Sequence, residues 1–281
     1  MKHIPVLLNA VLDALGDIRG QTVVDCTFGA GGYTRAFLER GANVIAFDRD
    51  PNVVDDANAI KQEYGDRFQF MPMAFSNLDK LDTVVDAIVF DLGISSMQID
   101  IPERGFSFRA DAPLDMRMSS DGETAAELIN RLSVAALADV LRNYGDVKKA
   151  GILARAIKDA LPKTTFELRD LIHNPKDVAP VFQALRIAAN DEMGEVERAL
   201  AVVPEKLKVG GKCLCVTFHS LEDRIVKNTF KQWTVAPGDP RMPVVVAAPF
   251  VLVKPQVPTE MELEHNPRAR SAHMRGVIKS Y

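Results

Sequence analysis

A glycine-rich turn between two apolar runs constrains this chain more than any other stretch. The run from Thr22 to Val24 is β-branched and suits a strand buried in a parallel sheet, and Asp25 ends it. Gly29, Gly31 and Gly32 follow closely, and glycines let a backbone approach a ligand. The pattern predicts a buried strand that leads into a ligand-binding turn.

A helix and a second strand follow the turn. The stretch from Tyr33 to Arg40 has a helical pattern and stops at Gly41, the usual residue type just past a helix end. The next apolar run, Asn43 to Phe47, is ended by Asp48. Strand, turn, helix and strand make up half of a nucleoside-binding βαβ unit.

Two carboxylates after the second strand compete for the ribose of such a nucleoside. Asp50 precedes Pro51, as a helix N-cap precedes the first helical residue, so we assign Asp50 a structural role. Asp48 lies about 20 residues past the first glycine, where a ribose-binding acid is expected. Asp48 is therefore the predicted ribose ligand.

The glycine spacing also bears on which nucleoside is bound. A dinucleotide fingerprint needs a third small residue, but Thr34 stands there, which weakens the case for NAD. S-adenosylmethionine has a ribose but no pyrophosphate, and its two positive charges favour nearby carboxylates such as Asp25 and Asp91. The alternative is a tight turn in an α/β protein that binds no nucleoside there.

Two further strands are expected to end beside the first two. Arg67 to Met73 predicts a third strand, followed by Phe75, which either packs on a base or belongs to the core. Val84 to Phe90 predicts a fourth strand that ends at Asp91. Ligands of open α/β sheets bind beyond the carboxyl ends of the strands. One crevice should therefore gather four side chains: Asp25, Asp48, Phe75 and Asp91.

From Pro102 the pattern changes to an irregular, charged loop and then to helices. Four helical stretches are predicted: Thr124–Leu132, Val134–Tyr144, Val147–Leu161 and Phe166–Ile172. A long returning helix over Val181–Val203 and a fifth strand over Lys212–Phe218 resume the first pattern. We predict an α/β domain of residues 1–101 and 181–281, split by an inserted helical domain of residues 102–180.

The late part of the chain supplies candidate RNA contacts. His219 lies between the fifth strand and an expected capping box of Ser220 and Asp223, so it points either to the crevice or to solvent. Two closing antiparallel strands are expected over Val244–Val253 and Arg270–Ile278. The concentrated basic patch, suited to phosphate, consists of Arg268, Arg270 and Arg275.

Composition limits the remaining classes of protein. The 281 residues are 47% hydrophobic and 26% charged, which is ordinary for a soluble globular protein. A net charge of -4 gives no overall basic footprint, so RNA binding needs local patches. The three cysteines form no C-x-x-C pair, and no signal-peptide layout or bilayer-length apolar run is present, so we expect a cytoplasmic protein with no membrane role. We identify no metal-binding motif.

Six ordered motifs carry a resemblance to a known family. They are D-C-T-F-G-A-G-G-Y, F-D-R-D, F-D-L-G-I-S-S, E-R-G-F-S-F with P-L-D-M-R-M, F-H-S-L-E-D-R-I-V-K and N-P-R-A-R-S. Together they resemble the bacterial small-subunit (16S) ribosomal RNA cytosine-N4 methyltransferases, from His3 to about Arg275.

The resemblance implies a class I, Rossmann-like methyltransferase fold with an inserted all-helical domain. It implies S-adenosyl-L-methionine as methyl donor and a cytosine of the decoding region as acceptor. Matching positions give the implied cofactor contacts: Gly31, Gly32, Tyr33, Asp48, Phe75, Asp91 and Gln98. Tyr33 stands where many members have His, and Met97 where many have Pro. The chain also lacks the Asn/Asp-Pro-Pro-aromatic signature that many amine methyltransferases carry after the fourth strand.

The resulting hypothesis is N4-methylation of one cytosine in small-subunit ribosomal RNA, either naked or assembled into the subunit. Asp91 is the predicted catalytic residue because it can accept hydrogen bonds from the amine. His219, Arg268 and Arg270 are predicted to contact RNA. The alternatives are another RNA or small-amine methyltransferase, a nicotinamide-dependent oxidoreductase, and a non-catalytic RNA-binding assembly factor. The sequence leaves the oligomeric state open and allows a homodimer.

Overall fold

The protein was analysed as a computed structural model that describes residues 5–236 and 247–281. Its described residues form a seven-stranded sheet in the order β3-β2-β1-β4-β5-β7-β6. The strands are β1 (Thr22–Asp25), β2 (Asn43–Phe47), β3 (Phe68–Met71), β4 (Val85–Asp91), β5 (Leu207–Thr217), β6 (Phe250–Gln256) and β7 (His273–Lys279). The predicted α/β class and the first five predicted strands are confirmed, with small shifts at their ends.

Among the parallel strands of the sheet the strand order reverses once, between β1 and β4. Strands β1 to β5 are parallel, with β1 paired to β2 on one side and to β4 on the other. Strand β7 runs antiparallel to both β5 and β6. The order β3-β2-β1-β4-β5 is that of a doubly wound sheet, in which ligands bind at the point of reversal. The ends of β1 and β4 therefore define the place to look for a site.

The helices follow the predicted pattern over most of the chain. Gly41 follows α2 with φ of 83°, as its predicted position just past the helix requires. The helices are α1 (Leu8–Leu15), α2 (Gly32–Glu39), α3 (Val54–Tyr64), α4 (Ser96–Asp100), α5 (Ala125–Arg131), α6 (Val134–Gly145), α7 (Ala150–Ala160), α8 (Thr165–Asp170), α9 (Pro175–Asn190), α10 (Glu192–Lys206), α11 (Ser220–Trp233) and α12 (Glu260–His265).

The single returning helix predicted over Val181–Val203 is wrong. The chain forms α9 and α10, separated by Asp191, whose φ of 48° and ψ of 40° lie in the left-handed region. Aspartate tolerates this conformation better than most residues, and one such residue ends a helix. Apolar periodicity continues across the break, so the sequence pattern alone did not reveal it.

By internal contacts the chain divides into two compact units. The first unit comprises Met1–Gly93 and Met193–Tyr281, and its core lies among the strands and helices α10 and α11. The second unit comprises Ile94–Glu192, and its core is formed by helices α5 to α9 together with Phe106, Leu114 and Met116. The second unit starts earlier and ends later than the inserted domain predicted over residues 102–180.

The two closing strands predicted near the C-terminus are only partly covered by the described residues. Residues 244–246 of the first one lie outside that part of the chain, and β6 begins at Phe250. The second strand begins at His273 instead of Arg270, because Pro267–Ser271 forms a 3-10 helix. Within residues 5–236 and 247–281, no helix is both long enough and apolar enough to span a bilayer.

Candidate functional site

The carboxylate at the end of β1 is buried and holds the start of the glycine turn. Asp25 is 1% exposed, and it accepts hydrogen bonds from the Thr34 hydroxyl at 2.7 Å and from the Thr27 amide at 3.2 Å. Burial raises the pKa of Asp25 to about 6, although the Thr34 hydrogen bond favours the charged form. Thr34, which breaks the dinucleotide fingerprint, therefore anchors the turn to β1.

Two glycines of the turn adopt backbone conformations that other residues rarely take. Gly29 has φ of 51° and Gly31 has φ of 74°. A Cβ added at Gly31 would lie 2.6 Å from the Cδ1 atom of Ile60, and one at Gly32 would overlap Pro5. These glycines are thus required by packing within the first unit as well as by any ligand.

Asp48, at the end of β2, braces the turn from the other side. Its Oδ2 atom accepts the Gly29 amide at 2.8 Å, and its Oδ1 atom accepts the Asp50 amide at 2.9 Å. Burial raises the pKa of Asp48. The structural role predicted for Asp50 is confirmed, since it is an N-cap whose Oδ1 accepts the Asn52 amide ahead of a helix that begins at Pro51.

Asp91 ends β4 beside Asp25, because Asp25 is in register with Val89 on the neighbouring strand. The Asp91 amide donates to the Thr27 hydroxyl at 2.8 Å. Its Oδ1 atom is buried and has no hydrogen-bond partner among the described residues. Burial raises the pKa of Asp91 well above its usual value, and the nearby carboxylates of Asp25 and Glu222 raise it further. Asp91 Oδ1 is therefore a buried acceptor to which no group among the described residues donates.

Phe75 begins the 3-10 helix Phe75–Lys80 that follows β3. Its ring packs edge to face on Phe90, with centroids 5.6 Å apart, and it is half-buried against the core of the first unit. Both alternatives raised from the sequence thus stay open for Phe75, since one part of the ring is core and the rest is accessible.

Tyr33 lies in the first turn of α2 and is 3% exposed. Its hydroxyl donates a hydrogen bond to the Val6 carbonyl, and burial raises the pKa of this phenol. The neighbouring Leu7 amide donates to Glu262 Oε1 at 2.5 Å. The N-terminal segment, in which the sequence indicated no site, therefore lies over the start of α2.

Gln98 belongs to the second unit, where it is 6% exposed. It is the third residue of α4 and forms a capping box with Ser95: the Ser95 amide donates to Gln98 Oε1 at 3.1 Å, and the Gln98 amide donates to Ser95 Oγ at 3.2 Å. This capping role accounts for the Gln98 side-chain oxygen. The cofactor contact implied by the resemblance stays a prediction.

The capping box predicted for Ser220 and Asp223 is wrong. His219 is the N-cap of α11, and Glu222 closes the box by accepting the His219 amide at 3.3 Å. Asp223 instead accepts two hydrogen bonds from Arg275 on β7, at 2.6 and 2.8 Å, and this guanidinium lowers the pKa of Asp223. The observed box lies one residue earlier in the chain than the expected one, and Asp223 is bound by a partner 52 residues away.

This pairing also removes one arginine from the predicted basic patch. Arg275 is committed to Asp223, whereas Arg268 and Arg270 are exposed on the 3-10 helix Pro267–Ser271. His219 has a side chain that is 12% exposed, so it is not a solvated loop residue. Glu222 is 1% exposed beside it, and its position was not predicted from the sequence because the expected capping box ended at Asp223 instead.

Within the first unit the strand ends therefore bring together Asp25, Asp48 and Asp91, as predicted.

Comparison with known proteins identifies relatives of this chain. A model of the MraW methylase family matches residues 1–280. The ribosomal RNA small subunit methyltransferase H of Chelativorans sp. (strain BNC1) is 44% identical over 296 residues, which cover 99% of this chain and 87% of that protein. The protein of the same name from Brucella ovis is 45% identical over 305 residues and covers 100% and 88%.

Two solved structures align over nearly the whole chain. An rRNA methylase from Streptococcus thermophilus has 14% identity and a TM-score of 0.46, with 100% of this chain and 99% of that chain covered. SMU.1697c from Streptococcus mutans, solved in complex with SAH, has 12% identity and a TM-score of 0.47, with 99% of each chain covered.

The buried carboxylate of Asp25 predicts a pH dependence of folding stability. Its pKa is about 6 in the folded chain against an ordinary value of 3.8, so its contribution is complete below about pH 4 and is lost as the pH rises through about 6. The loss amounts to about 3 kcal/mol for a shift of this size. Urea unfolding of the ligand-free Asp25→Asn variant should show a decline that is smaller by this amount, because Asp48 and Asp91 still contribute theirs, whereas the exposed-acid control Asp82→Asn should keep the full decline. A pH-independent difference between wild type and Asp25→Asn would contradict the assignment.

Proposed function

The chain belongs to the MraW methylase family, and from this premise we propose that it transfers a methyl group from S-adenosylmethionine to N4 of a cytosine in small-subunit ribosomal RNA. The resemblance, the class I methyltransferase fold and the enzymatic activity predicted from the motifs are confirmed by the family match over residues 1–280. The exact cytosine, the RNA contacts and a cytoplasmic location are part of the proposal.

One structural observation carries the proposal. Asp91 Oδ1 is a buried acceptor, unpartnered among the described residues, at the point where the strand order reverses and directly beside a glycine turn. An isolated buried carboxylate is costly unless a cation or a hydrogen-bond donor faces it. A donor that carries ammonium and sulfonium charges supplies the cation, and an amine acceptor supplies the N–H groups. The residues present therefore fit both substrates.

The Asp48 carboxylate also fits the ribose that S-adenosylmethionine brings. A carboxylate offers about four lone-pair sites, and Asp48 uses two of them for the amides of Gly29 and Asp50. The remaining acceptor sites suit a vicinal diol, and the two amides fix the carboxylate in place. Asp48 would thus hold the turn and the ribose at the same time.

Cytosine N4 is a weak nucleophile because its lone pair is delocalised into the ring. When bound, S-adenosylmethionine supplies an electrophilic methyl group on sulfur. The chain must then hold N4 in line with that methyl group at near-attack distance, and it must accept hydrogen bonds from the N–H groups of N4. We assign this to Asp91 and to backbone carbonyls of the turn at Leu92 and Gly93, where φ of Gly93 is 95°. The positive charge that develops on N4 in the transition state would be stabilised by these acceptors, and the Asp91 carboxylate would take up the proton that N4 then loses.

The substrate assignment is tested by mapping methyl groups on ribosomal RNA. A strain that lacks this protein should lose one methyl group on one small-subunit cytosine, and the purified protein with S-adenosylmethionine should restore it. Naked ribosomal RNA and assembled subunits are each treated with the protein, and mass mapping of their RNA then identifies which form is the substrate. An unchanged methylation map in the deletion strain would refute the proposed substrate.

The role of Asp91 is tested by single-turnover kinetics at saturating donor. Asp91→Asn and Asp91→Ala should slow methyl transfer by about 10²- to 10³-fold, because an acceptor that faces the reacting amine is removed. Donor affinity, measured by calorimetry beside the rates, separates binding from chemistry. Asp82→Asn, which neutralises an exposed acid before β4, is the matched control and should leave both quantities unchanged. Unchanged rates in both Asp91 variants would remove Asp91 from the reaction.

The exposed arginines near the C-terminus should contribute to RNA binding through phosphates. Replacing Arg268 and Arg270 together by Ala should weaken RNA binding and make its salt dependence shallower, since about two phosphate contacts are lost. The matched control replaces Arg19 and Arg40, which are exposed near the opposite ends of the strands, before β1 and after α2. If the control and the test variants bind RNA alike across salt concentrations, the patch does not contact RNA.

A further inference from the structure

The tautomer of His219 can be assigned from its surroundings. Nδ1 of His219 accepts the Glu222 amide at the N-terminus of α11, in a long contact of 3.5 Å. An accepting Nδ1 carries no hydrogen, so the neutral ring bears its hydrogen on Nε2. The Oε1 atom of Glu222 lies 3.0 Å from Nε2, and a carboxylate there also favours the tautomer with hydrogen on Nε2.

That Nε2–H group forms no hydrogen bond with any of the described residues. Nε2 is buried and forms no hydrogen bond within the part of the chain that the structure describes, although Glu222 Oε1 lies 3.0 Å away in an ion-pair contact. Capping accounts for Nδ1 of His219 and for the Glu222 Oε2 atom, which accepts the Phe218 amide at 2.8 Å. It leaves Nε2 unused, and an unsatisfied buried donor destabilises the ligand-free protein.

The unused donor lies on the same rim as the unused acceptor. Strands β4 and β5 are parallel neighbours, with Asp91 in register with Val216, and His219 follows three residues later. A Cβ built at Gly93 would lie 3.7 Å from Glu222 Oε1, so the loop after β4 lies against the first turn of α11. Glu195 Oε2 is also unpartnered among the described residues, but the other oxygen of that carboxylate accepts a hydrogen bond from Arg198, so we do not assign a ligand to it.

A donor and an acceptor on one rim of the sheet have the polarity that complements one edge of a pyrimidine. Cytosine presents the N4 amine as donor and, next to it, N3 as acceptor, whereas uracil presents O4 as acceptor and N3–H as donor. Enzymes that act on an extruded base recognise it through hydrogen bonds to this edge. Where a donor faces a donor, or an acceptor faces an acceptor, both buried atoms stay unpaired. Such a mismatch is the strongest source of discrimination between similar substrates.

We propose that His219 is a specificity-determining residue whose Nε2–H donates to N3 of the target cytosine, while Asp91 Oδ1 accepts from the N4 amine. Glu222 is the positioning residue that fixes the imidazole. The inference rests on the proposed function, since it names how that same site recognises its base. Uracil is rejected because both contacts become mismatched.

The test uses full-length protein and two RNAs that differ only at the target position, one with cytidine and one with 3-deazacytidine, in which a C–H group replaces N3. Single-turnover methylation by the wild type should favour cytidine by about 10-fold or more beyond the ratio shown by His219→Asn. Asparagine keeps the N-cap but is too short to reach N3. The comparison is a double-mutant cycle, so the intrinsic difference between the two bases cancels.

His219→Gln provides the rescue, because its amide can place a donor near the original Nε2 and should restore part of the discrimination. A purely structural role for His219 would slow both RNAs equally and leave the ratio at the wild-type value, which would overturn the proposal. Wild-type protein that fails to methylate the cytidine RNA would instead refute the proposed function, and the inference with it.

Discussion

Burial of carboxylates at the ends of parallel strands is the constraint on which the rest of this structure depends. Asp25, Asp48 and Asp91 each end an apolar strand, and burial raises the pKa of each one. Removing a charge from water is costly unless hydrogen bonds replace the lost hydration. Asp25 and Asp48 obtain them from Thr34, Gly29 and neighbouring amides, and those same bonds shape the glycine turn. Asp91 obtains none at Oδ1 from the described residues, which singles it out as the group left for a ligand.

Much of this arrangement could be predicted from sequence because its causes are local. An apolar run ended by an acid marks each strand end, and parallel topology places such ends on one rim. The Asp50–Pro51 pair is likewise a local capping signal, and the structure confirms it. The positions of Asp25, Asp48 and Asp91 along the chain are therefore enough to predict that they lie at one edge of the sheet.

Other features depend on partners that are distant in sequence. The helix break at Asp191 needs one left-handed residue inside an unbroken apolar period, and nothing in the period marks it. The choice of Glu222 over Asp223 to close the α11 capping box follows from Arg275, which belongs to β7 and claims Asp223. Burial of Tyr33 depends on the N-terminal segment. Tertiary contacts override local patterns at Tyr33 and at Glu222, and the consequence for function is greatest at Glu222, because it holds His219.

The burial that makes unpaired polar groups unfavourable in the ligand-free site also makes the site selective. In a low-dielectric pocket a charge or a hydrogen bond is worth more than in water, so a matched ligand gains more and a mismatched one loses more. A cation near Asp91 favours the charged form of that carboxylate and opposes the effect of burial on its pKa. In the proposed recognition, the N–H of His219 and the Oδ1 atom of Asp91, both unpaired among the described residues, are satisfied together by a base that presents an amine beside a ring acceptor, whereas uracil leaves both unsatisfied. The cost of these buried, unpaired groups and the proposed discrimination between bases thus have one physical origin.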